Sequence, residues 1–356
     1  MSSVPWQYAV ICKENRNPNP QTVMLSLSKH ANLKSEKLNK NLFFLFYVFP
    51  LFAVAQTNYQ QAEEYFKQEN FSKAKPIFEN YLKQHPGDKK TREYLGDIAA
   101  YGKDWDTAIS HYKNLVTDEE TNANYHFKYG GAMGMKALSV SRIRAVAYIG
   151  DIKHELEQAA KLDPNHIETR WALVEFYIQL PGIFGGSENK AIAYAEELGK
   201  ISLVDGFLAN GYIAEYSNRP KDAEQYYKKA IDVGGSPHTY EKLSNLYEKN
   251  NQPKEALETT SKSLQIHKRN QLNYQIGKIS AQYNIEPAYG IACLSEYLAN
   301  YSIEDGVPRD WAYYRLAQIY KNLGKKEIAL TWINKALLQR DDFKEAQQEK
   351  SLILAL

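Results

Sequence analysis

Small residues recur along this chain at a spacing of about 34 residues, and that period limits the fold more than any other feature. Ala62, Gly96, Gly130, Gly211, Ser244, Gly277 and Ala317 hold the first step of the pattern, with Val174 the one larger residue. Twelve residues on come Ala74, Ala108, Ala223, Ala256 and Ala329, and Ala191 follows after an insertion. Four further on stand Phe78, Tyr112, Tyr227 and Ile333. Two antiparallel helices joined by a short turn approach closely only where their facing residues are small. The first two steps therefore mark a helix crossing, and the larger residue fills the groove beside it. Turn sequences such as "QHPGD" after Leu82 and "KLDPNH" at Lys161–His166 end the second helices. No single pair buries its apolar stripe; stacked neighbours do.

This pattern resembles the tetratricopeptide repeat, with its W-x2-L-G-x2-Y segment followed by alanine, an aromatic and proline. Units start near Ala55, Lys89, Ala123, Ile167, Val204, Pro237, Asn270 and Asp310. The resemblance implies an all-α fold over residues 56–356, a right-handed solenoid of about eight helix-turn-helix repeats plus a C-terminal capping helix in "DDFKEAQQEKSLILAL". There are departures. Gly290 comes one residue late in the seventh unit, and the proline is missing after units two, five, six and eight.

Two neighbouring units are enlarged between their first and second helices, near 134–151 and 180–190. From Met133 to Ile152 the step is 19 residues where nine is normal, and from Tyr177 to Ala191 it is 14. The second of these, "LPGIFGGSENK", resembles a P-G-I-x-G-G-S turn found in a group of bacterial repeat proteins, which brings no activity with it. It is not a Walker loop, because the glycine–lysine spacing fails and no strand precedes it. Locally, Pro181 stops a helix, the glycines supply positive φ, Ser187 caps the next helix and Glu188 favours its positive end. The other reading has the glycine amides and Ser187 facing an anion. In "GGAMGMK", glycines four apart read as close helix contact.

The N-terminus reads as an address. Lys34, Lys37 and Lys40 precede an apolar run from Leu42 to Ala53, and Ala53 and Ala55 flank Val54, the layout of a secretory signal peptide over 34–55. Cleavage after Ala55 would deliver the protein to the periplasm or the exterior, with no stable membrane span left behind. Residues 1–33 are expected to be a disordered leader, or a start assigned upstream of the true one. Residues 1–55 hold six of the 44 basic and two of the 42 acidic residues, so the body beyond is nearly neutral. That argues against nucleic acid as a partner. One of the two cysteines, Cys12, precedes the cleavage point, so the other, Cys293, has no internal partner and reads as a small buried hydrophobe.

No catalytic, cofactor or metal site is expected. The histidines stand singly without an i, i+4 pair, Asp97, Asp104 and Asp106 read as exposed polar positions, and no Ser/His/Asp set can be assembled. A binding surface is better supported. In the resembled family the first helices line a concave face. Mapped here, those inward positions include Tyr59, Phe127, Trp171, Tyr274 and Tyr314, with Tyr101, Tyr212 and Tyr216 beside them. Aromatics offer contact area at low entropic cost, although tyrosine is abundant here (27 residues) and also packs between helices. Arg142, Arg144, Phe184 and Ser187 on the enlarged turns would form a lip at one edge. The expected function is a non-catalytic scaffold holding a protein or peptide partner. The alternative is a small-ligand-binding or enzymatic protein with a pocket under the two enlarged turns, and self-association is a third reading.

Overall fold

A computed structural model describes the backbone from residue 49 and side chains from residue 58. The expected leader 1–33 and most of the expected signal segment 34–55 lie outside the described residues. The chain divides into two compact units, Met1–Ser187 and Glu188–Leu356. Among the described residues both are wholly helical.

In the first unit the helices are α1 (Phe49–Lys67), α2 (Phe71–Gln84), α3 (Lys89–Tyr101), α4 (Trp105–Asp118), α5 (Ala123–Ser139), the short α6 (Arg142–Val146), α7 (Ile149–Leu162) and α8 (Ile167–Gln179). The pairs α1/α2, α3/α4 and α5/α7 pack as hairpins, and each leans on the next. The second unit continues with α9 (Glu188–Ile201), α10 (Leu203–Tyr216), α11 (Pro220–Gly234), α12 (Pro237–Lys249), α13 (Pro253–His267), α14 (Asn270–Tyr283), α15 (Pro287–Ala299), α16 (Arg309–Asn322), α17 (Lys326–Gln339) and α18 (Lys344–Leu354). Here α10/α11, α12/α13, α14/α15 and α16/α17 pair, and α18 closes on α17. Helix starts carry ordinary caps. Asp88, for example, accepts from the Thr91 amide at 2.7 Å, and Asn122 from the Tyr125 amide at 3.2 Å.

The repeat register has a direct physical reading. A methyl placed on Gly96 would meet the ring of Tyr112, sixteen residues later, at 2.6 Å. Gly211 stands in the same relation to Tyr227. Ala62 shares one buried cluster with Phe78, and Ala317 another with Ile333. Where the small residue is Ser244, its hydroxyl hydrogen-bonds that of Thr260 at 2.9 Å. In the seventh unit Gly277 meets Leu294, one position later, as the late Gly290 requires. In the third, a methyl placed on Gly130 would meet Leu156 at 3.2 Å, so the same pairing survives an insertion of ten residues.

A second regularity lies at the turns. Seven residues after the small position the backbone enters the left-handed region at Glu69, Lys103, Asn218, Asn251, Asn284 and Gly324. At Lys103, for instance, the amides of Lys103 and Asp104 donate to Ala100 and Ala99, closing the helix end before the chain reverses. The third and fourth units have no such turn. α5 runs 17 residues where α3 runs 13, then leads through α6 into α7. α8 ends at Leu180 in an extended conformation, and Pro181 opens a short 3-10 turn, Gly182–Phe184.

Candidate functional site

In the enlarged turn of the fourth unit, the amides bond to their own segment. Phe184 and Gly186 donate to the Pro181 carbonyl at 2.9 and 3.2 Å, Gly185 to Gly182 at 3.0 Å, and Ser187 to Tyr177 at 2.9 Å. No cradle for an anion is left among them. Gly185 has φ +96°, and a side chain on Gly186 would overlap the Leu180 carbonyl oxygen. Two glycines thus serve backbone geometry.

The aromatic candidates separate into two groups. Phe127, Tyr274 and Tyr314 are buried. Phe127 lies against the His166 ring with centroids 5.1 Å apart, Tyr274 against Tyr297 at 5.5 Å, and Tyr314 against Phe343 at 5.4 Å. These three fill the space between helices and offer no open surface, a correction to the eight-residue surface expected from the sequence. Tyr59 is partly buried against Tyr81, and Trp171 is partly buried. Tyr101 is 45% exposed on α3, with its ring 4.5 Å from Phe71. On α10, Tyr212 and Tyr216 stand one turn apart with centroids 6.3 Å apart, and Tyr216 is 51% exposed. Arg142, Arg144 and Phe184 are all exposed on the enlarged turns, while Ser187 is partly buried.

Asp97, expected at an exposed position, is instead partly buried. Buried Lys128 on α5 donates to Glu93 at 2.5 Å and to both oxygens of Asp97 at 2.7 and 2.8 Å. The Tyr112 hydroxyl donates to Asp97 at 2.6 Å. Burial pulls the Lys128 ammonium down, but the two carboxylates outweigh it and hold it above the ordinary lysine range. This network ties the third unit to the second and satisfies its charges internally. Nearby, buried His126 contacts Glu155 at 2.5 Å. Cys293 is buried, and burial pushes its thiol upward, which suits packing better than nucleophilic chemistry.

Beneath the two enlarged turns lies a cavity of about 210 Å³, lined only by residues of the first unit. Three helix stripes meet there. Gly130, Gly134 and Ala137 form one on α5, Ile149, Ile152 and Leu156 a second on α7, and Ala172, Glu175, Phe176 and Gln179 a third on α8. Leu138, Ala145 and Leu180 close the sides. Small residues on α5 leave room where a helix of ordinary composition would fill it. The polar convergence expected of an anion or catalytic pocket is not there. Glu175 and Gln179 are the polar side chains in the wall.

Comparisons with known proteins follow the same lines as the geometry. Two sequence families described as tetratricopeptide repeat match residues 59–124 and 312–343. The chain carries tetratricopeptide repeats. Solved structures similar to it include a tetratricopeptide-repeat protein of Parabacteroides merdae, at 11% identity over 84% of this chain and 98% of that one, with a TM-score of 0.45. A thermophilic tetratricopeptide-repeat protein of Thermus thermophilus is similar at 16% identity over 68% of this chain and 99% of its own, with a TM-score of 0.37. No curated protein matches the sequence.

Sequence reasoning missed the Lys128 network, and it named a pocket under the enlarged turns only as an alternative, without its apolar lining. The network joins residues of successive repeats 31 and 35 positions apart, close to one repeat length, and a search at that offset for opposite charges would have found it. The small stripe of "GGAMGMKA" was visible, but its empty side was not. Among the described residues, no helix is long and apolar enough to cross a membrane, and no cluster of His, Cys, Asp and Glu is arranged to hold a metal ion.

Proposed function

We propose that the protein is a non-catalytic scaffold, exported from the cytoplasm, that holds an extended segment of a partner polypeptide against the first helices of its repeats. The fold supports a protein-binding scaffold. The observation that carries the finer reading is the pair Tyr212 and Tyr216, side by side on a first helix with Tyr216 half exposed, where a folded chain gains nothing by leaving that ring open. Trp171, Tyr101 and Tyr59 extend the set. A photo-crosslinking amino acid at position 216 or 171, introduced in cells, should give discrete crosslinked species, whereas position 258 on the exposed side of α13 should not. Equal labelling from all three positions would defeat the reading. The export component is tested separately, since the mature protein should begin at Gln56 when its N-terminus is sequenced.

A second reading, a small-ligand site, is favoured by one observation: the 210 Å³ cavity lies beneath the two turns that depart from the repeat period. The scaffold role and a ligand site are compatible within one chain.

A further inference from the structure

The two enlarged turns carry most of the open apolar surface of the first unit. Among its described residues, five of the seven exposed large apolar side chains lie there: Leu138, Ile143 and Val146 on one turn, Ile183 and Phe184 on the other. Ile143 is 87% and Ile183 88% exposed, so both stand almost clear of the fold. The turns are neighbours, because Leu138 and Ala145 of one and Leu180 of the other border the same cavity. On α6, Ile143 and Val146 are three residues apart and share a helix face. Single exposed apolar residues are ordinary on a protein surface, but a cluster marks a place of contact. The turn of the fourth unit does not need its two for geometry, which rests on backbone hydrogen bonds and glycine.

Charge narrows what the cluster can meet. From Leu138 to Gly150 the ionic residues are Arg142 and Arg144, and from Leu180 to Ser187 there is none. Both arginines are exposed, and among the described residues no carboxylate pairs with either. A surface of aliphatic side chains flanked by unpaired cations and free of acids complements one that is apolar within and anionic at its edge. Shape narrows it further. Ile143 and Ile183 project from the turns and do not wall the cavity. A protein partner would have to bring a fitted hollow for each, whereas lipid closes around projecting side chains of any outline.

We propose that the lip formed by the two enlarged turns docks on an anionic lipid bilayer. Ile143, Val146, Ile183 and Phe184 enter the interface, and Arg142 and Arg144 lie at the level of the phosphates. A guanidinium pairs with phosphate through two parallel hydrogen bonds, and its stem can lie along apolar surface while the charge stays among the headgroups. Apolar insertion and cationic attraction are each weak alone and act together in reversible docking. The body beyond residue 55 is nearly neutral, so the attraction is confined to the lip and screened beyond about 10 Å. Docking of this kind is peripheral and requires no spanning helix. It is independent of the groove reading and of what the cavity holds.

The test is co-sedimentation of the chain from Gln56 with two kinds of vesicle, phosphatidylcholine alone and phosphatidylcholine mixed with phosphatidylglycerol. That chain keeps all the repeats and leaves out the apolar run Leu42–Ala53, which enters lipid by itself in a signal segment. Binding to the mixed vesicles should exceed binding to phosphatidylcholine roughly tenfold or more, and should fall as salt is added. Ile143→Ser combined with Ile183→Ser should weaken it roughly tenfold. Arg142→Gln combined with Arg144→Gln should remove the preference for mixed vesicles. Leu338→Ser, at an equally exposed leucine outside the lip, should change nothing. All five positions are exposed, so circular dichroism should stay helical in every variant. Equal binding to both vesicle types, full binding by the isoleucine variant, or an equal loss in Leu338→Ser overturns the proposal. So does an absence of binding to mixed vesicles, which would leave a protein partner to cover the lip.

Discussion

The second and third repeats of the first unit start alike and end differently. In the second, Gly96 lets α3 and α4 meet at Tyr112, and seven residues on the chain reverses at Lys103 with left-handed backbone. In the third, Gly130 makes the equivalent contact with Leu156, but α5 runs on, and ten further residues intervene before α7. The crossing of the two helices is thus independent of how the chain gets from one to the other. Loop length costs little once the helices pack. What the longer connection changes is the space beside the crossing, which in the third repeat opens into the cavity.

That comparison can be broken or sharpened by substitution. The largest effect is expected at Lys128, the ion that fastens the enlarged third repeat to its tight-turned neighbour. Lys128→Met strands Glu93 and Asp97 partly buried without their cation and should cost about 3–5 kcal/mol in urea unfolding. Loss below about 1 kcal/mol would mean that apolar packing alone joins the repeats. Next comes the crossing itself. Gly96→Ala drives a methyl into the Tyr112 ring at 2.6 Å, and Tyr112 is fully buried and hydrogen-bonded to Asp97. A cost of about 1–3 kcal/mol is expected, read as faster amide exchange in α3 and α4. Gly130→Ala meets its neighbours at 3.1–3.2 Å and should cost less than about 1 kcal/mol, partly offset by alanine's better helix propensity. If the two alanine variants prove equal, the enlarged repeat is packed as tightly as the other. The smallest effect is at the tight turn, where Lys103→Gly relieves a left-handed lysine (φ +59°). It should raise stability by a few tenths to about 1 kcal/mol, visible as a small upward shift in melting temperature.

Much of the architecture was legible because the information is local and repeated. Ala62, Gly96 and their equivalents lie at a fixed offset from Phe78 and Tyr112, and that offset marks a helix pair whatever the intervening sequence. The enlarged turns were legible as breaks in the same count. The left-handed turn position was harder to see, since Glu69, Lys103 and Asn218 occupy it where a glycine would have announced it. The candidate surface was read least well. Phe127, Tyr274 and Tyr314 share an inward repeat position with Tyr59 and Trp171, yet neighbouring rings from other helices cover them. Asp97 reads in the sequence as an exposed polar residue because its partner Lys128 belongs to the next repeat.

Taken alone, the sequence determined the period, the helix pairs, the residues at each crossing and the location of the two insertions. Each of these depends on which face of one helix a residue occupies, and spacing along the chain sets that directly. The tertiary structure decided which aromatics stay open, which carboxylates meet Lys128, and that the space beneath the enlarged turns is apolar and unfilled. Those outcomes depend on distances between helices, and helix separation is set by side chains contributed from several segments at once.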